Sequence, residues 1–324
     1  MTTAGIIANP ISGKDIRRLV AHGSVFDNQE KVRIVRRLLM GMEAAGIRQV
    51  FYMPDEYHMI PRALRGCRAT VETQPAAIRV QGDQTDSTRA AGWMAEQDVG
   101  CIVVLGGDGT CRAVAKGTVS IPMLPISTGT NNVFPYMMEA TVAGLAAALI
   151  ASGRVPHSEG IFRSCQLEVL RQDTVTDIAL VDAAVYNERF IAARAIWEME
   201  KVSQVFLTRA RPDAIGLSAI GGQLHTISPA EPRGLHLRLA PGGRPLLAPI
   251  APGLIAGVSI AEETFMEPGV PVPVTASGCV LALDGEREVE VRQGESVAVR
   301  LSTYGPLVVD IGRTMASARD RRLL

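Results

Sequence analysis

The chain has little with which to build a cross-linked or metal-bound scaffold. Its five cysteines, Cys67, Cys101, Cys111, Cys165 and Cys279, are scattered, form no Cys-x-x-Cys pair and have no histidine at metal-ligand spacing. That excludes a disulfide framework or a zinc module and suits a reducing compartment. Cys101 and Cys111 stand in apolar surroundings and read as buried thiols, not nucleophiles. No apolar run reaches the roughly 20 residues that a membrane span needs; the longest covers 142–151. Ala4-Gly5-Ile6-Ile7-Ala8 after Met1 is too short for a signal peptide's apolar region and lacks a basic start, so a cytoplasmic protein is expected. Neither sign of charge is in excess, with Lys+Arg 33 against Asp+Glu 33. No long-range positive field therefore advertises nucleic acid or an anionic membrane, and any anion must be held locally. The cluster Arg33, Arg36 and Arg37 follows a helical spacing and reads as a solvated face. Internal repeats and low-complexity tails are also missing.

What is present is enough apolar material, 47% of 324 residues, for more than one core. In the first half, β-type runs at 5–8, 49–53, 76–80, 101–105 and 122–126 alternate with helical patterns at 28–45, 86–97, 110–116 and 140–151. Such alternation builds a parallel sheet. Asp27 is the expected N-cap of the first of these helices, Val32, Val35, Leu38, Leu39 and Met42 its buried stripe, and Gly46 its stop. Beyond Gly153 the periodicity changes to two, with runs near 165–169, 178–186, 235–239, 270–275 and 288–291, which reads as antiparallel β. Pro229, Pro232, Pro241, Pro245, Pro249 and Pro252 predict edge strands and long turns between 229 and 252. The boundary is set near 153, with ligands favouring the cleft between the halves.

Three polar, glycine-bearing turns follow three of the predicted parallel strands, so adjacent strands would bring all three to one sheet edge. The first is Asn9-Pro10-Ile11-Ser12-Gly13-Lys14, the second Gly106-Gly107-Asp108-Gly109-Thr110, and the third Ser127-Thr128-Gly129-Thr130-Asn131-Asn132. Glycines let backbone N–H groups approach phosphate oxygens, hydroxyls and amides add donors, and Asp108 is the only carboxylate among the three. The first turn is not a Walker A loop, because Ala8 and Asp15 stand where that motif needs Gly and Ser or Thr. Taken singly, each turn also reads as a capped strand-to-helix connection, the first more readily so than as a ligand site, and the second with Asp108 capping its own helix. Their convergence favours a nucleotide site.

In order and spacing, Asn9-Pro10-Ile11-Ser12-Gly13, Gly106-Gly107-Asp108-Gly109-Thr110 and Gly129-Thr130-Asn131-Asn132 resemble the motifs of the superfamily of NAD kinases, diacylglycerol and sphingosine kinases and 6-phosphofructokinases. Asn187-Glu188 and 217–222 are similar to NAD-kinase segments, and Asp284-Gly285-Glu286 to the Asp-Gly-Glu of lipid kinases. Longer runs, 8–18, 26–32, 53–55 and 128–135, resemble the NAD-kinase-like proteins of acetoin catabolism, the AcoX type. The resemblance implies an α/β plus all-β fold of the NAD-kinase kind. A doubly wound parallel-sheet domain at 1–153 would bind nucleotide, and an antiparallel β domain at 154–324 would bind the acceptor, its last residues free to return to the first.

The resemblance further implies an ATP-dependent, Mg²⁺-dependent phosphotransferase with an alcohol acceptor, NAD being the leading one, and Asp108 as base or hydroxyl orienter. ATP would be held by Asn9, Pro10, Ser12, Gly13, Lys14, Gly106, Gly107, Gly109, Thr110, Thr128, Gly129, Thr130 and Asn131. The acceptor would be held by Asn132, Asn187, Glu188, Asp284 and Glu286, with Lys14, Arg17 and Arg18 adding charge near the first turn. No metal ligands are assigned. Where NAD kinases carry a hydroxyl-rich stretch, residues 211–216 read Arg-Pro-Asp-Ala-Ile-Gly, which leaves another small metabolite, a lipid, or a non-catalytic accessory role open. Small-molecule nucleotides are the expected partners, with no nucleic acid or membrane, and assembly as a homo-oligomer is expected by analogy.

Overall fold

The structure, a computed structural model, describes residues 2–12, 27–129, 131–187, 198–276, 278–285 and 287–324. The first half runs β1 (Thr3–Ala8), α1 (Asn28–Ala44), β2 (Gln49–Tyr52), α2 (Met59–Leu64), β3 (Glu72–Pro75), α3 (Thr85–Glu96), β4 (Ile102–Gly106), α4 (Asp108–Gly117), β5 (Met123–Ser127) and α5 (Ala140–Ala151). Next come α6 (His157–Gly160), β6 (Ile161–Arg163), β7 (Gln166–Arg171), β8 (Thr174–Ala179), β9 (Asp182–Tyr186), β10 (Val202–Leu207), α7 (Leu217–Gly222), β11 (Gly234–Ala251) and β12 (Leu254–Met266). The chain closes with β13 (Pro271–Pro273), β14 (Cys279–Leu283), β15 (Arg287–Val291), β16 (Val297–Ser302), β17 (Leu307–Val309) and α8 (Ile311–Asp320).

A seven-stranded sheet in the order β3-β2-β1-β4-β5-β17-β6 is parallel except for β6, which runs against β17. Its period-two side chains feed two apolar layers. Ala4, Ile6, Val103, Leu105, Leu124 and Ile126 face α1, α2, α5 and α8, whereas Ile7, Ile102, Val104 and Met123 face α3 and α4. The last strand and helix thus return to the sheet with which the chain began. The β-rich half is a sandwich of a six-stranded sheet, β12-β11-β10-β9-β14-β15, and a four-stranded sheet, β13-β16-β7-β8. Ala183, Val185, Phe206, Leu281 and Leu283 of the former pack against Leu167, Val169, Val297, Val299 and Leu301 of the latter, and α7 covers the outer face of the larger sheet. Leu180 and Val181, between β8 and β9, join the core under α4, which is where the two halves meet.

Local sequence explains most boundaries. The Asp27 carboxylate caps α1 by accepting from Glu30 N at 2.7 Å, and Gly46 ends the connection at φ +99°. Two expectations are corrected. The strand next to β2 is Glu72–Pro75, not 76–80, because an edge strand needs few apolar side chains. The proline-rich stretch is not dominated by turns: β11 is a continuous 18-residue strand paired along most of its length with β12. The Pro249 carbonyl accepts from Gly216 N on the side away from β12, so its nitrogen also faces away, and Pro245, four residues earlier, has the same orientation.

α1 and α5 cross at Gly41 and Gly144 with their backbones in contact; an added Cβ would lie 2.3 Å from Thr141 O at the first position and 2.3 Å from Leu38 O at the second. Helix propensity alone predicts that Gly144→Ala stabilises by about 1 kcal/mol. The crossing reverses that sign, since backbone has to move to admit a methyl. Gly144→Ala should therefore destabilise by about 1–3 kcal/mol, seen as a lowered denaturation midpoint; a raised midpoint would disprove the contact.

Candidate functional site

β1, β4 and β5 are parallel neighbours, so the turns that follow them leave the same edge of the sheet. Their polar side chains bond to one another across that edge. Asn9 Nδ2 donates to Thr110 Oγ1 at 2.9 Å, tying the first turn to the second. The hydroxyls of Ser12 and Thr128, 3.0 Å apart, tie the first to the third. Thr128 N donates to Gly106 O, while Asn132 Nδ2 donates to Ser127 Oγ at 2.8 Å and to Gly129 O at 3.3 Å. A Cβ on Gly107 would sit 2.7 Å from Asn132 Oδ1, so glycine is what lets the second and third turns close on each other. Pro10 and Asn131 are half-buried beside these contacts and Gly109 is buried in the first turn of α4.

Asp108 heads α4 and is 8% exposed. Its Oδ1 accepts from Phe134 N at 2.7 Å and Val133 N at 3.1 Å, amides 26 and 25 residues further along the chain. The carboxylate thus reaches across to the residues just past the third turn, and the N–H groups of Thr110 and Cys111 go to Gly107 O instead. Capping of its own helix is not what these bonds accomplish.

The same helix carries Arg112 one turn on. Arg112 Nη1 donates to Leu283 O at 2.7 Å and stands 3.8 Å from Asp284 Oδ2. Asp284, at φ +50° in the β14–β15 turn, accepts from Leu180 N at 3.0 Å, Val181 N at 2.8 Å and Asp182 N at 3.3 Å. Burial pushes its carboxyl above the ordinary value, while Arg112 and these amides pull it down. Its bonds are therefore internal ones, joining the β8–β9 connection to α4. Asn187 lies exposed just past β9, where Oδ1 accepts from Ser203 Oγ at 3.1 Å. Asp284 N bonds to Asp182 O at the other end of that strand, so Asn187 and Asp284 are separated by the strand's length, about 16 Å. Gly13, Lys14, Arg17, Arg18, Thr130, Glu188 and Glu286 lie outside the described residues.

Several groups at the site carry no motif. Lys31 of α1 is 0% exposed and donates from Nζ to Asn9 O at 2.9 Å and Ser12 O at 2.6 Å. The signal was its place on the apolar stripe, one step before Val32. Arg209, just past β10, is 3% exposed; it lies 4.7 Å over the ring of Phe134 and donates to Ser164 Oγ at 2.8 Å and Leu180 O at 3.2 Å. Burial pushes its guanidinium below the ordinary value, opposed by the fields of Tyr136, Asp108 and Asp284. Arg211 pairs with Asp213 and also bonds the Tyr136 side chain, which raises its pKa. Residues 209–211 of the second half thus stand against 134–136, just past the third turn. Among the described residues, no three His, Cys, Asp or Glu side chains gather to hold a metal, and no helix is long and apolar enough to cross a membrane.

Comparison with known proteins identifies the relatives of this chain. Residues 4–155 match the ATP-NAD kinase N-terminal domain family, and residues 165–304 match the acetoin catabolism protein X C-terminal domain family. Over 334 aligned residues, 99% of this chain and 93% of the other, the sequence is 38% identical to acetoin catabolism protein X of Cupriavidus necator. It is 26% identical over 213 residues to the NAD kinase of Thermoplasma acidophilum, covering 62% of this chain and 70% of that enzyme. A crystal structure of a diacylglycerol kinase from Bacillus anthracis str. Sterne aligns over 95% of this chain and 96% of that one, at 10% identity and a TM-score of 0.45. The chain belongs to the acetoin catabolism protein X family.

Proposed function

We propose that this protein is an ATP-dependent kinase that phosphorylates a hydroxyl, with the 2′-OH of the adenosine ribose of NAD as the leading acceptor. The observation that carries the reading is the single hydrogen-bonded lattice formed by the three turns around Asp108. Phosphoryl transfer asks a protein mainly for positioning and for stabilisation of charge about an in-line displacement. Asn9, Pro10, Ser12, Gly106, Gly107, Gly109, Thr110, Thr128, Gly129 and Asn131 form the cradle for ATP. Gly13, Lys14 and Thr130 belong to the same turns in sequence and are assigned with them. Asp108 orients the acceptor hydroxyl and takes its proton as that oxygen bonds to the γ-phosphorus and ADP leaves.

Mg²⁺ carried on the triphosphate supplies charge neutralisation at the transferring group. Its preference for phosphate oxygens and water, with one or two carboxylates, fits a hydroxyl- and amide-rich donor set without an all-protein cage. Asn132, which closes the third turn on Gly107, borders the acceptor side, and Asn187 with Glu188 is assigned to hold the acceptor. Homo-oligomeric assembly through the β-rich half belongs to the same reading, supported by Leu247 and Ile255, 70% and 68% exposed on the β11–β12 arm. So does a cytoplasmic location.

Residues 211–216, Arg-Pro-Asp-Ala-Ile-Gly, stand in place of the hydroxyl-rich stretch of NAD kinases, and this favours a second reading in which the acceptor is another small alcohol. Low aromatic content weighs against a lipid. Purified protein incubated with γ-labelled ATP and a panel of NAD, NADH, acetoin, butanediol and diacylglycerol separates these readings. Label in NAD supports the first and label in another acceptor the second. Saturable ATP binding with no label in any acceptor marks a non-catalytic accessory protein.

Asp108→Asn retains an Oδ1 for both amides while losing the charge and the base. Turnover should fall by about 10²–10⁴-fold with the ATP dissociation constant nearly unchanged, measured by initial rates and calorimetry; a variant with wild-type turnover would remove Asp108 from the chemistry. Asp284→Ala leaves Arg112 and three amides without their partner. It should cost about 3–5 kcal/mol of stability, read by chemical denaturation. Wild-type stability with a raised KM for the acceptor would instead assign Asp284 to acceptor binding.

A further inference from the structure

The lysine expected to serve the first turn, Lys14, is carried by the turn itself. A second lysine reaches the same turn from beneath. Lys31 lies one turn into α1, on the face that also carries Val32, Val35, Leu38, Leu39 and Met42, yet its side chain ends in a polar position. Burying an ammonium costs several kcal/mol unless its N–H groups are met. Here Nζ donates to the carbonyls of Asn9 and Ser12, 2.9 and 2.6 Å away, which are short, charge-assisted bonds. The two acceptors are the residues whose side chains join the other turns, Asn9 to Thr110 and Ser12 to Thr128. Lys31 therefore holds both ends of the segment from which the lattice is built. Turning two carbonyls inward also draws the negative ends of those peptide groups away from the outer surface of the turn, the surface that an anion meets.

We propose that Lys31 is a positioning residue of the phosphate cradle, fixing the Asn9–Ser12 turn from below so that it receives the phosphate chain of a nucleoside triphosphate without itself touching the ligand. The proposal rests on the assignment of ATP to these turns. It differs from that assignment in placing a determinant of phosphate affinity on α1, outside every turn. Because Lys31 acts on the turn that meets phosphates, its loss weakens nucleotides in proportion to their phosphate chains and leaves the nucleoside part alone.

The test is calorimetric titration of the full chain, wild type against Lys31→Met, Lys31→Gln and Lys31→Arg, with Mg-ATP, Mg-ADP and adenosine. Lys31→Met should weaken ATP by about tenfold or more, ADP by less, and adenosine by less than about twofold. Lys31→Gln keeps donors without charge and should fall between, and Lys31→Arg should recover part of the ATP affinity. Equal weakening of ATP and adenosine means a merely structural lysine and overturns the proposal, as does ATP affinity unchanged in Lys31→Met. No ATP binding by the wild type defeats the nucleotide assignment itself and this role with it. Should the variants fail to fold, hydrogen exchange of the wild type decides. ATP should slow exchange in both 9–12 and 28–35 and adenosine should not; the same response to both ligands overturns the proposal.

Discussion

A polar side chain at the end of a strand buried between two apolar layers is stable only when its donors and acceptors find partners, and at the carboxyl edge of this sheet the turns supply those partners to one another. Asn9 satisfies Thr110, Ser12 meets Thr128, Asn132 reaches Ser127, and Asp108 gathers the amides of Val133 and Phe134. Each bond left unmade would cost about 1–3 kcal/mol in such surroundings. The turns therefore hold one another in register before any ligand arrives. For a reaction whose catalysis is largely positional, that preorganisation matters more than any one donor.

α4 carries this order into the second half. Asp108, Arg112 and Lys116 follow one another at intervals of four, hence on one helical face. The first bonds to the amides just past the third turn, the second to Leu283 O beside Asp284, and the third pairs with Asp177 of β8. Leu180 and Val181 add the apolar part of the contact. Buried charges of this kind add little net stability over apolar groups of the same shape, but they admit few alternative arrangements. The β-rich half is consequently docked on the helix whose head presents Asp108, and a shift of one would be felt by the other.

How much of this could be read from the sequence depended on whether a residue's role is set by its near neighbours. α1 was legible because its cap, stripe and stop lie within its own span, and the three turns because each follows an apolar run. Asp284 was legible as a hairpin residue but not as the acceptor of amides at 180–182, about a hundred positions earlier. β3 was misplaced because an edge strand can be polar, and β11 was broken into turns because the sequence does not show which strand edge a proline faces. Lys31 carried a weak signal, a lysine on an apolar stripe, whose meaning depended on where the carbonyls of another segment would fall. Arg209 had none, since its partner, the ring of Phe134, comes from the other half.

Phe134 belongs to both sides of the contact between the three turns and the second half. Its backbone N–H bonds Asp108, and its ring receives Arg209 on the side of the second half. The first interaction depends on the path of the main chain and is indifferent to the side chain; the second depends wholly on the side chains that face each other. Short polar groups and backbone amides therefore constrain the side of the three turns closely. The opposite side is bordered by long side chains on a separate segment, Arg209 and Arg211. Under the proposed kinase activity, the turns specify phosphoryl chemistry and the choice of hydroxyl falls to the other half, across a residue that belongs to both.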